Sequence, residues 1–206
     1  MTDEPTGPVR KRVRKPAEQR REEILDAAVA VFADQGYRAA DCQDIADRAE
    51  VGKGTVYRYF ETKEVLFLST LTHVMEQLKS EAEAAVTVSG DPLEKIRAGV
   101  RAYLAFFDSQ PEVVELVIQE RAEFRERGSP LYFVYADNER GGWLALVQEL
   151  ADQGRLRVGN ADAALRMLED LLFGTVVSSR LSMDRRGLRE RASEILDIFE
   201  YGVLAR

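Results

Sequence analysis

The chain has one cysteine, one histidine and one tryptophan among its 206 residues. The lone Cys42 cannot close an internal disulfide, which fits a reducing compartment. The lone His73 cannot supply a histidine metal cluster, and any Ser–His or Cys–His catalytic pair would have to rest on it alone. It reads as a surface or hinge-packing residue of a helix. A helical-bundle carboxylate enzyme needs Glu-x-x-His motifs on two helices, which one histidine cannot provide within one chain. A Gly-rich phosphate loop and a nucleophile elbow are also missing. No catalytic residue, metal site or cofactor is therefore expected. No apolar run approaches the ~18–20 residues of a membrane span. The start is basic and lacks a following apolar segment, unlike a secretion signal. The expected location is the cytoplasm, with no membrane partner.

What is present begins with charge. The net charge of −7 speaks against a nucleic-acid partner until its distribution is considered. Arg10, Lys11, Arg12, Arg14, Lys15, Arg20 and Arg21 crowd the start, and only Glu18 opposes them there. From Phe67 onward acidic residues outnumber basic ones. Basic residues gathered at one end are the footprint that matters for a polyanion, not the total. Residues 1–15 offer nothing to bury and read as a disordered basic arm. Arg12, Arg14 and Lys15 are its candidate contacts to phosphates or an adjacent minor groove.

The most informative stretch is 41–67, DCQDIADRAEVGKGTVYRYFETKEVLF. Asp41 is a good N-cap, with Asp44 in a box-like position three residues on. Cys42, Ile45, Ala46 and Ala49 follow at helical spacing. The chain breaks at Glu50–Gly52, and a second short helix starts with Gly52 as N-cap. Val51 and Val56 sit at the N′ and N4 positions of a hydrophobic staple. On a helical wheel Val56 and Phe60 point one way and Gly54, Thr55 and Arg58 the other. This pattern is that of a helix-turn-helix, whose second helix enters the DNA major groove. The candidate DNA contacts are Gln43, Lys53, Gly54, Thr55, Tyr57, Arg58, Tyr59 and Lys63. Gly54 leaves room for close approach, Thr55 and Arg58 can reach a base edge or phosphate, and Tyr57 and Tyr59 offer hydroxyl donors. Lys63 opens the next helix, where its charge adds to the N-terminal dipole.

Residues 44–67 resemble the DNA-binding signature of the TetR family of bacterial transcriptional repressors. Gly36-Tyr37, Ile45-Ala46, Ala49, Val51, Gly54-Thr55-Val56-Tyr57, Tyr59-Phe60, Lys63-Glu64 and Leu66 follow that family's pattern. Glu50 stands where the turn glycine usually is, so it is expected to adopt a positive φ. Asp41 and Gly52 replace the usual Thr and Ser caps. The resemblance is specific across about Glu18–Leu68 and only architectural beyond.

Around this stretch the chain reads as helices throughout. The first starts near Pro16, carries Ile24, Ala27, Ala28, Val31 and Phe32 as its apolar stripe, and ends at Gly36 in a Schellman motif that folds Tyr37 back on Phe32. A fourth helix runs from about 62 to 86 and anchors a head that is too small to be stable alone. Turn signals at Ser89–Pro92, Pro111, Gly128–Pro130 and Gly154 divide the remainder into five more helices, the eighth about 161–184 and the ninth about 188–204. Glu120 interrupts the apolar stripe of the sixth and must be paired, protonated or at a cavity wall. The eighth is apolar on more than one face, with Gly174, Ser178 and Ser179 small enough for close helix approach.

The last two helices look like half of an interface, and a two-fold dimer would present two reading helices to a palindrome. The expected seam holds Leu168, Leu172, Val176, Ile195 and Phe199. The resemblance implies a four-helix dimer bundle there, and a small-molecule pocket enclosed by helices five to seven whose occupation shifts the fourth helix. Tyr103, Phe106, Phe107, Glu120, Phe124, Tyr135 and Trp143, with Tyr132, are the candidate pocket residues.

The expected fold is all-α with about nine helices: a basic arm at 1–15, a helix-turn-helix domain at 16–66 with the motif at about 41–60, and a helical effector-binding and dimerisation domain at 67–206. The expected function is a homodimeric repressor released from a palindromic operator in double-stranded DNA by a small-molecule effector. The alternative is a ligand-independent architectural DNA-binding protein, which would have a closed, fully packed C-terminal domain. Deleting Met1–Lys15 is expected to weaken DNA binding and flatten its dependence on salt. An unchanged slope in a salt titration would remove the arm from the mechanism.

Overall fold

In a computed structural model of the chain, residues 16–87, 90–157, 160–182 and 186–203 are described. The basic arm with Arg12, Arg14 and Lys15 lies outside the described residues, as do the expected last residues of the eighth and ninth helices. Among the described residues the fold is all-α: α1 (Ala17–Ala39), α2 (Cys42–Arg48), α3 (Lys53–Tyr59), α4 (Lys63–Val86), α5 (Pro92–Ser109), α6 (Glu112–Glu123), α7 (Leu131–Asp152), α8 (Ala161–Leu181) and α9 (Leu188–Val203). A single 3-10 turn, Arg125–Arg127, joins α6 to α7.

Side-chain caps explain several of the starts. Asp41 accepts the Gln43 N–H at 2.8 Å, Thr62 the Val65 N–H at 3.1 Å and Asn160 the Asp162 N–H at 2.9 Å. Asp44 does not close a capping box; its carboxylate takes the Gln35 side-chain amide at 3.0 Å. The turn between α2 and α3 is a Schellman motif. Val51 N–H bonds Ala46 O at 2.9 Å and Glu50 N–H bonds Asp47 O at 3.1 Å. Glu50 occupies its left-handed position at φ 53°. Gly154 does the same after α7 at φ 69°, with Arg155 N–H on Leu150 O at 2.9 Å.

The end of α1 departs from the expected Schellman stop. Gly36 does take a positive φ, 78°, but with ψ 155°. The helix kinks there and resumes for one more turn to Ala39. The broken backbone is served from another helix. Gln119 of α6 accepts the Tyr37 N–H at 2.9 Å and donates to Phe32 O at 3.0 Å. Tyr37 still meets Phe32, at 6.1 Å between rings, and also meets Phe67 of α4 at 5.1 Å and Phe124 at 4.9 Å. Phe32 and Phe67 are fully buried, each worth roughly 1.5–3 kcal/mol of apolar burial. Arg38 forks onto Glu123, and Arg127 pairs with Glu64.

Helix α1 therefore packs on both α4 and α6. Beyond this joint α5 is the central element, in contact with α4, α7, α8 and α9. Its buried stripe of Ile96, Val100, Leu104 and Phe107 faces inward. Helices α7 and α8 pack on each other along the outside of α5, and Arg140 of α7 fixes them through Asp162 at 2.6 Å and Glu169 at 3.2 Å. His73, exposed in part on α4, bonds Asp26 of α1 at 2.9 Å and Gln77 at 2.9 Å, so it is a hinge-packing residue.

A non-glycine residue in the left-handed region costs roughly 1–2 kcal/mol, offset in part by the extra backbone freedom glycine loses on folding. Glu50→Gly is therefore expected to stabilise the protein by up to about 1 kcal/mol, read as a higher midpoint in denaturant. A lower midpoint would mean that the Glu50 side chain holds the turn by contacts of its own.

Candidate DNA-reading helix and inner cavity

The reading helix α3 is held from behind and open in front. Val56 and Phe60 are buried, while Gly52, Gly54, Tyr57 and Arg58 are exposed and Lys53, Thr55 and Tyr59 half-buried. Cys42, Ile45 and Ala46 of α2 supply the floor beneath it. A Cβ built on Gly54 meets nothing within 4 Å. No neighbour among the described residues demands a glycine at this helical position, although it costs about 1 kcal/mol relative to alanine.

The charged and hydroxyl groups of this face are already oriented. Lys53 pairs with Asp41 at 2.7 Å, which raises the lysine's pKa and, with the Gln43 N–H, lowers that of the aspartate. Gln43 is exposed and holds Asp47 at 2.7 Å. The Tyr57 phenol is pushed up in pKa chiefly by its hydrogen bond to the Cys42 thiol. Its ring is 42% exposed, so it spans from α2 to the open surface. Arg58 lies over the Tyr59 ring at 5.6 Å. Lys63 differs from expectation. Its ammonium donates to Arg38 O and Ala40 O, both at 3.0 Å, and sits 5.0 Å from the Tyr37 ring centre. Two of its three protons thus close the end of α1, and one remains for a phosphate.

A second site lies in the body. A cavity of about 260 Å³ opens between α4, α5, α7 and α8. Tyr103, Tyr132, Tyr135 and Trp143 line it, as the aromatic pattern led one to expect. The Tyr103 and Tyr132 hydroxyls meet at 2.7 Å. Burial raises the Tyr103 pKa well above its ordinary value and pushes Tyr132 up to about 12, so both stay protonated. Trp143 lies against the α5 backbone. A Cβ on Gly99 would fall 2.1 Å from its Cη2 atom, so only glycine allows this ring position.

Four expected pocket residues lie elsewhere. Phe106 and Phe107 are a turn further along α5, packed edge-on to each other at 5.3 Å in the closed core. Phe124 belongs to the joint with Tyr37 and Phe67. Glu120 caps α7: both carboxylate oxygens lie 3.0 Å from the Leu131 N–H, where the preceding Pro130 has no capping group. Its pKa is raised by burial against the lowering pull of that N–H and of Arg127.

The expected dimer seam is also corrected. Leu168 and Leu172 line the cavity. Val176, Ile195 and Phe199 are buried inside the protomer, at 2%, 4% and 1% exposure. The apolar groups left outside on these helices are Met167, Leu181, Ile198 and Tyr201, at 52%, 71%, 58% and 72% exposure. Gly174 and Ser178 are exposed on α8 between the first two. The cavity wall from α8, with Leu165, Glu169 and Phe173, was not anticipated. An all-round apolar helix gives no sign of which face meets which neighbour.

A short helical head with an open reading helix, fixed to a helical body that encloses an aromatic cavity, defines a helix-turn-helix DNA-binding regulator. The sequence pattern described as bacterial regulatory proteins, tetR family, matches residues 24–70. The transcriptional activator FasR of Mycolicibacterium smegmatis is 35% identical over 115 residues, 56% of this chain and 52% of that protein. The chain thus spans about half the length of that relative. The regulator BetI of Rhizobium meliloti is 30% identical over 147 residues, covering 69% of this chain and 72% of that one. The fold is shared with a structure of FadR from Bacillus subtilis in complex with stearoyl-CoA, at a TM-score of 0.66 and 22% identity over 88% of this chain and 98% of that one. The chain belongs to the TetR family of transcriptional regulators.

Gly54→Ala should separate folding from function. Thermal melting is expected to show a gain of up to about 1 kcal/mol, while DNA affinity falls. Unchanged affinity would take Gly54 out of the interface.

Proposed function

We propose that the protein acts as a homodimeric repressor that leaves a palindromic operator when a small molecule fills the body. The head, 16–66, reads DNA and the body, 67–206, binds the effector and the second copy. The observation that carries this reading is one helix, α6, whose neighbouring residues Gln119 and Glu120 grip the head and the cavity-bearing helix α7 respectively. A change in the body is thereby mechanically connected to the angle of the reading helix. For release, the effector must bind the DNA-incompetent spacing of the two heads more tightly than the competent one.

Tyr57, Lys53 and Lys63 act on phosphates in this reading, with the basic arm of Arg12, Arg14 and Lys15. Thr55 and Arg58 face the bases, and Gln43 flanks them. The open 260 Å³ cavity supports an effector and counts against a purely architectural protein, which has no use for one. FasR is an activator, so repression is the part of the proposal that concerns sign. No described helix is long and apolar enough to cross a membrane, and a cytoplasmic site of action is part of the same reading.

The second copy is expected on the outward face of α8 and α9, where Met167, Leu181, Ile198 and Tyr201 surround Gly174 and Ser178. Sedimentation should show a dimer for the full chain. Met167→Glu with Ile198→Glu should give a folded monomer that has lost its affinity for a two-half-site duplex. A variant that stays dimeric would place the interface elsewhere.

A further inference from the structure

The cavity's deep wall carries a pair of phenols and no free charge. Tyr103 and Tyr132 have two hydroxyl protons, and the bond between them at 2.7 Å uses one. No acceptor for the other is present among the described residues. This proton is free for an acceptor that enters the cavity. The groups around it, Ile96, Val100, Val147 and Leu168, are apolar and cannot provide one.

Of the lining charges, Glu169 acts on the Tyr132 phenol and is itself held by Arg140 at 3.2 Å, while Lys79, the only lining cation among the described residues, is held by Glu139 at 2.7 Å. Asp137 and Asp170 add negative charge at exposed positions of the rim. An anionic ligand would therefore meet a negative mouth and find no unpaired cation within. The volume, about 260 Å³, is at the small end for ligand pockets. The flat surfaces are aromatic: the Trp143 ring lies on the Gly99 backbone, and Phe173 meets Tyr132 at 4.8 Å and Phe133 at 5.1 Å.

We infer that the cavity selects a compact, uncharged, ring-containing molecule that presents one hydrogen-bond-accepting oxygen, of the ketone or lactone type, to the Tyr103–Tyr132 hydroxyl pair. The inference rests on the proposed effector role of the cavity and narrows the effector to that class. It sets this pocket apart from one that holds an acyl-CoA, whose phosphates and length fit neither the charge nor the volume. The high pKa values of both phenols keep the donor in place at all physiological pH.

The test uses three naphthalenes that differ in one group: 6-propionyl-2-dimethylaminonaphthalene, its parent 2-dimethylaminonaphthalene without the carbonyl, and 6-dimethylamino-2-naphthoic acid. Trp143, the single tryptophan, lines the cavity and reports occupation by loss of its emission. The ketone should bind about tenfold more tightly than the parent, the equivalent of one hydrogen bond of about 1.4 kcal/mol. The carboxylate should bind more weakly than either. A single Tyr→Phe change leaves one donor, so the Tyr103→Phe/Tyr132→Phe double variant is the informative one. In it the preference for the ketone over the parent should vanish while the parent's own affinity is kept. Gly99→Ala, which pushes Trp143 into the cavity, should weaken the binding of all three. A ketone bound no better than its parent, a carboxylate bound best, or no binding by any of the three would overturn the inference. Release of a fluorescent duplex is read in parallel. A carboxylate that binds best and releases DNA would sink the ligand class and spare the effector reading. A ketone that binds as expected at saturation without moving the duplex would do the reverse.

Discussion

One side-chain amide sets the position of the head. The chain kinks at Gly36, and Gln119 of α6 bonds on either side of the kink, donating to the Phe32 carbonyl at 3.0 Å and accepting the Tyr37 N–H at 2.9 Å. Each group would cost about 1–3 kcal/mol if left buried and unpaired. These two bonds tie α6 to α1. The rings of Phe32, Tyr37, Phe67 and Phe124 pack on one another beside these bonds. Arg38–Glu123 and Glu64–Arg127 bracket the joint from outside. The exposed pairs add little by themselves, but they oppose the same rotation. Because Glu120 is the next residue and caps α7, one helical turn touches both the head and a helix of the cavity wall.

The head was legible in the sequence because its determinants are local. Caps, a staple and a turn act within a few residues, so Asp41, Gly52 and the unusual Glu50 could each be assigned from their neighbours. Lys63 shows where local reading stops. Its place at a helix start pointed to phosphate, but two carbonyls more than twenty residues earlier take two of its protons. The body was legible as helices and not as faces. Helix α8 is apolar on several sides, and periodicity could not say that Leu168 and Leu172 face a cavity while Val176 faces the core. The better signal for the outward face was the run of small residues, since Gly174 and Ser178 are the ones exposed. Glu120 was flagged correctly as needing a partner, but the partner is a helix end and not a ligand.

The two sites differ in how they hold charge. At the head, Lys53 is paired with Asp41, so this proposed contact group is oriented by the chain itself at little entropic cost. In the body the one lining cation among the described residues, Lys79, is already matched, and a pair of phenols shares a hydrogen bond. The exposed face of α3 and a cavity whose lining cation is matched are thus built on one chain, on either side of the joint between α1, α4 and α6.

In the proposed dimer the DNA-competent state holds the two reading helices at one spacing. Selection of bound sequences from a random DNA pool by the purified full-length protein tests this most directly. The account predicts enrichment of a palindrome whose half-sites keep a single separation of about one helical turn or a multiple of it. Half-sites enriched at variable separations, or salt-sensitive binding blind to sequence, would contradict it.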